Sequence, residues 1–123
     1  GTRISHLNMI DYADGMYLFY EALELPASDK ITKTRLLLMA KQKLESALLS
    51  MSHNYVSMLQ LGVKFLKMSK HVDYPRPFIE RAISTYQQII NYKVDTGILY
   101  TSHLMLAKAY FFSGKYARNF KKQ

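Results

Sequence analysis

Asp11 and Asp14 stand three residues apart, and on a helix that spacing brings two carboxylates to one face, where a pair can share general acid and base work. No catalytic partner lies near them in sequence, and carboxylates near a helix N-terminus also answer its dipole, so the pair reads as structural. The histidines His6, His53, His71 and His103 are scattered singly. None has a second histidine or a carboxylate four residues on, so no metal site is expected. The absence of cysteine excludes thiolate zinc sites, cysteine nucleophiles and disulfides. Phe112-Ser113-Gly114-Lys115 carries the Gly-Lys pair of a phosphate-binding loop. That motif also needs Gly where Ala109 stands and Ser or Thr where Tyr116 stands, so the match fails. No G-x-S-x-G or H-E-x-x-H occurs. Neither enzyme activity nor a cofactor nor a bound metal is expected.

The charge pattern points elsewhere. The formal net charge is +8, and residues 62–123 hold eleven Lys or Arg against three Asp or Glu, while residues 1–61 hold six of each. The whole excess therefore lies in the C-terminal half, a field that favours acidic partners. Lys64, Lys67 and Lys70 recur every three residues, and Lys115, Arg118, Lys121 and Lys122 form a second basic run with Phe111, Phe112 and Phe120 nearby.

These residues must be held by helices. A chain of 123 residues with 49% hydrophobic and 21% charged residues is one ordinary domain in size and composition. No run approaches the roughly 18 apolar residues of a membrane span, and the N-terminus has no apolar signal core, so a cytoplasmic or nuclear protein is expected. Breaks fall at Pro26 to Asp29, Ser52 to Asn54, His71 to Pro77, Asn91 to Gly97 and Ser113-Gly114. Between them apolar residues keep helical spacing, most clearly Phe78, Ile79, Ala82, Ile83, Tyr86, Ile89 and Ile90, and again Leu36, Leu37, Ala40, Leu44, Ala47 and Leu48. Six helices are predicted, at approximately 5–25, 30–50, 54–70, 77–92, 97–112 and 115 onward. Asp29 is the expected N-cap of the second, Pro75 and Pro77 the start of the fourth, and Gly97 a left-handed stop before the fifth. Short links make neighbours antiparallel, giving an all-α chain of hairpins over 5–50, 54–92 and 97–123. The ten tyrosines and seven methionines read as core filler.

Two segments carry internal similarity. Leu106-Ala107-Lys108-Ala109-Tyr110 runs into Gly114-Lys115-Tyr116, and Leu61-Gly62 with Phe65 repeats its first half. The arrangement resembles the tetratricopeptide repeat, in which a small residue lets two helices approach, an aromatic fills the gap one turn later, and a G-x-Y turn opens the second helix. The 45 residues between Leu61 and Leu106 exceed that family's period of about 34. The resemblance implies a single domain of hairpins stacked as a short α-solenoid, a piece of a longer array, with a concave groove lined by first helices. It places Gln60, Val63, Lys67, Thr101, Lys108 and Phe112 in that groove, with Lys64 at its flank. Members that hold chaperone C-termini use Lys and Asn where this chain has Leu59 with Val63 and Leu104 with Lys108, so that specificity is not expected.

The function expected is a non-catalytic scaffold that binds a partner segment, acidic in character, in a groove flanked by Lys64, Lys67 and Lys108. The alternative is nucleic-acid binding through the basic half, which the mixture of lysines and aromatics would serve. Against it, no recognition motif accompanies the charge, and Lys outnumbers Arg, the better bidentate phosphate ligand. A third route is purely structural, with an exposed repeat edge packing against the rest of a longer parent chain or against a second copy.

Overall fold

The computed structural model describes residues 2–51 and 54–122, and side chains over 9–51 and 54–115. Five α-helices and no strand account for the described residues: α1 Thr2–Glu24, α2 Lys30–Leu49, α3 Tyr55–Ser69, α4 Arg76–Ile90 and α5 Thr96–Lys122. They form two compact units, Gly1–His53 and Asn54–Gln123. In the first, α1 packs on α2; in the second, α4 packs on both α3 and α5.

Each helix end has a local cause. α1 stops at Glu24, two residues before Pro26, which cannot donate a helical hydrogen bond. Asp29 precedes α2 but its carboxylate makes no capping bond, contrary to expectation; its backbone carbonyl instead accepts from Lys33 N at 3.1 Å. Asn54 caps α3, its side chain accepting from Ser57 N at 3.3 Å. Pro75 and Pro77 open α4 as their fixed φ predicts. The start of α5 belongs to Asp95, whose carboxylate accepts from Ile98 N at 2.9 Å. Gly97 lies inside the first turn of α5 with no left-handed φ, so it is not the expected stop.

The first unit buries Phe19 and Ala22 of α1 and Leu37, Ala40, Leu44, Ala47 and Leu48 of α2. Gly15 makes the close approach, since a Cβ there would meet Leu44 Cγ at 2.7 Å and the Ala40 carbonyl at 3.3 Å. Asp11 lies well beyond the first turn of α1, so the dipole does not explain it. It stands 4.0 Å from Lys43 of α2 instead.

The second unit is built around Tyr86. Met58, Leu61, Phe65 and Met68 of α3 and Phe78, Ile79, Ala82, Tyr86 and Ile89 of α4 are buried. Gly62 lets α3 meet the Tyr86 ring, and Phe65 fills the space one turn on. The apolar stripes predicted for α2 and α4 are the buried faces, with Leu36, Ile83 and Ile90 at their half-buried margins. The tyrosines behave otherwise. Among the described residues Tyr86 is the one tyrosine in the core, whereas Tyr17, Tyr20, Tyr74, Tyr92, Tyr100 and Tyr110 are exposed.

The predicted sixth helix does not form as a separate element. α5 runs without a break through Ser113-Gly114-Lys115 for 27 residues, about 40 Å. A lone glycine costs a helix only about 1 kcal/mol. Helix-favouring Ala, Lys and Arg residues flank it, and nothing lies within 4 Å of the space its Cβ would fill. Among the described residues no packing partner therefore rewards a turn there. The expected hairpin over 97–123 is one helix.

Candidate functional site

The basic half of the chain is concentrated on α3 and α5. On α3 and its C-cap, Val56, Gln60, Val63, Lys67 and Lys70 recur at i, i+4, i+7, i+11 and i+14, which on a helix is one narrow stripe. All are exposed except Val63, which is half-buried. On α5, Thr101, Met105, Lys108 and Phe112 form the corresponding stripe, beside the buried line of Ser102 and Ala109.

Contacts within this unit set the direction of its helices. Tyr55, at the start of α3, packs on Tyr92, just after α4, with ring centroids 5.6 Å apart. Lys70, just after α3, places its ammonium 5.2 Å from the Phe112 ring centroid. The start of α3 therefore lies by the α4–α5 link and its end by Phe112, so α3 and α5 run the same way with α4 antiparallel to both. Gln87 Nε2 donates to the Tyr110 hydroxyl at 2.9 Å and ties α4 to α5 on the other flank.

The Lys108 ammonium also reaches Phe112, 6.0 Å from the ring centroid. Two cations from two helices thus share one half-buried aromatic ring, an arrangement worth about 0.5–1 kcal/mol per cation at exposed sites. Among the described residues none of Lys67, Lys70 and Lys108 is paired with a carboxylate. Arg76 differs, since a 2.9 Å bond to Glu80 raises its pKa and occupies its charge.

Of the seven positions predicted for the groove, Lys108 and Phe112 are brought into contact. Gln60, Val63 and Lys67 share one face of α3, and Thr101 lies on the Lys108–Phe112 stripe of α5. Lys64 is half-buried beside the α3 stripe, with interactions of its own. The cation nearest the ring is Lys70, which was grouped with the basic stripe but not with the groove. Its signal was the fourteen-residue recurrence from Val56, legible only once the end of α3 is known. Ala107 and Tyr110, expected to make the close helix approach, are both exposed on α5; Ala109 is the buried small residue there.

Little else offers chemistry. Among the described residues no group of three or more His, Asp or Glu side chains could hold a metal ion. His103 is exposed on α5, and His6 and His53 fall outside the described side chains. Two buried hydroxyls, Tyr86 and Ser102, find no hydrogen-bond partner among the described residues, and burial pushes the Tyr86 pKa up. No described helix is long and apolar enough to cross a membrane. No known protein family, curated protein or solved structure matches the chain.

Proposed function

We propose that the second unit is a non-catalytic protein-interaction module that holds an acidic partner segment against α3 and α5. The observation that carries this reading is the Phe112 ring with Lys70 at 5.2 Å and Lys108 at 6.0 Å. The ring supplies an apolar floor, and the two ammonium groups rest on it weakly enough to turn toward carboxylates. Lys67 extends the charge along α3, with Gln60 and Val63 beyond it. The family resemblance supports the same placement, because first helices line its binding face. Each exposed lysine–carboxylate contact contributes only about 0–1 kcal/mol, so Phe112 must provide part of the affinity. Charge then sets partner choice and association rate.

The test is the double reversal Lys70→Glu with Lys108→Glu, its helix content checked by circular dichroism. A fluorescently labelled peptide of alternating Glu and Leu is titrated by anisotropy, alongside a labelled single-stranded oligonucleotide. The expected result is peptide binding that weakens at least about tenfold on reversal, a loss of roughly 1.4 kcal/mol or more. Peptide affinity unchanged by the reversal overturns the reading. Oligonucleotide binding that is tighter than peptide binding and lost on reversal replaces it with nucleic-acid binding.

A further inference from the structure

The face of α5 turned away from its buried line is apolar. Tyr100, Leu104, Ala107, Phe111 and Gly114 recur at i, i+4, i+7, i+11 and i+14, with His103 and Tyr110 on one flank and the exposed Lys108 and Lys115 on the other. Tyr100 is 69% exposed, Leu104 57%, Phe111 60% and Tyr110 50%. No charged residue falls in this stripe between Tyr100 and Gly114. At its centre Ala107 is small, and a Cβ at Gly114 would meet nothing within 4 Å. Along the stripe Ala107 and Gly114 leave a shallow trough between the larger exposed side chains.

We propose that this trough takes a second copy of the chain, α5 lying antiparallel against α5 about a two-fold axis at Ala107. The spacing is self-complementary. Tyr100 lies seven residues before Ala107 and Gly114 seven after it, so each large ring stands over the open space at the glycine of the second copy. Leu104 meets Tyr110, His103 meets Phe111, and the two Ala107 residues meet on the axis, where only small side chains permit close approach.

The area is sufficient. At roughly 200 Å² for a fully exposed aromatic side chain, the three rings expose about 350 Å², and Leu104, His103 and the helix surface at Ala107 and Gly114 raise the face to about 500–600 Å². Two such faces remove about 1,000–1,200 Å² on meeting, the lower boundary of specific interfaces. Antiparallel packing also manages the charge. Lys108, Lys115, Arg118, Lys121 and Lys122 give α5 five basic residues and no acidic one. About the Ala107 axis the two Lys115 positions stand about 24 Å apart along the pair and the later basic residues farther still, well beyond the Debye length of about 8 Å at physiological salt. The two Lys108 positions are only about 3 Å apart along it, and each ammonium turns aside to Phe112 on the flank of its own helix. A parallel pair would set the basic ends side by side.

Sedimentation equilibrium of the full chain is expected to show a reversible dimer with a dissociation constant of about 10–100 μM, in keeping with an interface at the small end of the range. Gly114→Leu introduces a helix-favouring residue whose Cβ enters open intramolecular space, but it fills the seat of Tyr100, and is expected to weaken the dimer at least tenfold while helix content holds. Because the chain has no cysteine, Ala107→Cys places one thiol on the axis, and mild oxidation is expected to trap a covalent dimer far faster than Gln88→Cys, an exposed control on α4. Added salt is expected to hold or tighten the dimer of these like-charged chains, whereas it weakens binding of an acidic peptide, which separates this inference from the proposed function. A chain monomeric at about 1 mM, or a dimer that neither Gly114→Leu weakens nor Ala107→Cys traps preferentially, overturns the proposal.

Discussion

Gly62→Ala probes the packing that holds α3 on α4. An added Cβ would stand 2.8 Å from Tyr86 Cζ and 3.1 Å from Cδ1, where carbon contacts normally settle at about 3.5–4.0 Å. The ring is buried on all sides and rigid, so it must retreat by about 0.7 Å or more against a packed core. Overpacking of this kind costs about 1–3 kcal/mol, here toward the upper end at about 2–3 kcal/mol because two ring atoms would stand within 3.0 Å of the new Cβ, and the better helix propensity of Ala returns about 1 kcal/mol. A net loss of about 1–2 kcal/mol is expected. With a urea slope of about 2 kcal/mol/M, mid-range for small proteins, the unfolding midpoint by far-ultraviolet circular dichroism falls by about 0.5–1 M. The same substitution in a Tyr86→Leu background meets no ring, and there it is expected to be neutral or stabilising. Gly114→Ala is the internal reference, with open space at its Cβ and an expected gain of about 0.5–1 kcal/mol. The reasoning fails if Gly62→Ala matches the unsubstituted chain, or if it costs the same with and without Tyr86.

Tyr86→Phe removes a buried hydroxyl that has no hydrogen-bond partner among the described residues, so it is expected to raise stability by about 0.5–1.5 kcal/mol in the same urea assay. The sign of its pH dependence follows from the raised pKa. The unfolded tyrosine loses its proton from about pH 10 while the folded one keeps it, so stability declines as pH rises above that point, by up to about 1.4 kcal/mol per unit, and Tyr86→Phe is expected to flatten the decline. Asp95→Ala removes the side-chain cap of α5 and is expected to cost about 0.5–2 kcal/mol, with Asp95→Asn recovering most of it by thermal unfolding. The Lys70 and Lys108 reversals and the Ala107→Cys trap test the two surfaces of α5 separately.

Four of the five helices can be read from the chain, because their ends and buried faces depend on local signals. Pro26, Pro75 and Pro77 restrict backbone angles wherever they stand, and the apolar spacing of Leu37 to Leu48 and Phe78 to Ile89 has one face to bury whatever packs against it. A close approach at Gly62 was implied by the family resemblance, in which a small residue stands one turn before an aromatic such as Phe65, but that the Tyr86 ring is what it meets was not. The same pattern at Ala107 and Tyr110 meant something else. Both are exposed, because whether a small residue lies at a crossing depends on a second helix being there to cross. For the same reason Ser113-Gly114 remains helical: glycine permits a turn but does not require one, and only a returning helix would make the turn worth its lost hydrogen bonds.

The amino-acid sequence by itself determined helical character, the absence of thiol chemistry and the confinement of the net charge to residues 62–123, since composition and spacing are properties of the chain alone. Tertiary structure decided which lysines act together. Lys70 and Lys108 lie 38 residues apart, and only the parallel run of α3 and α5 on either side of α4 brings both ammonium groups to Phe112. It likewise decided that Tyr86 is buried while most other described tyrosines face water, because burial depends on what the neighbouring helix presents and not on the residue's own chemistry.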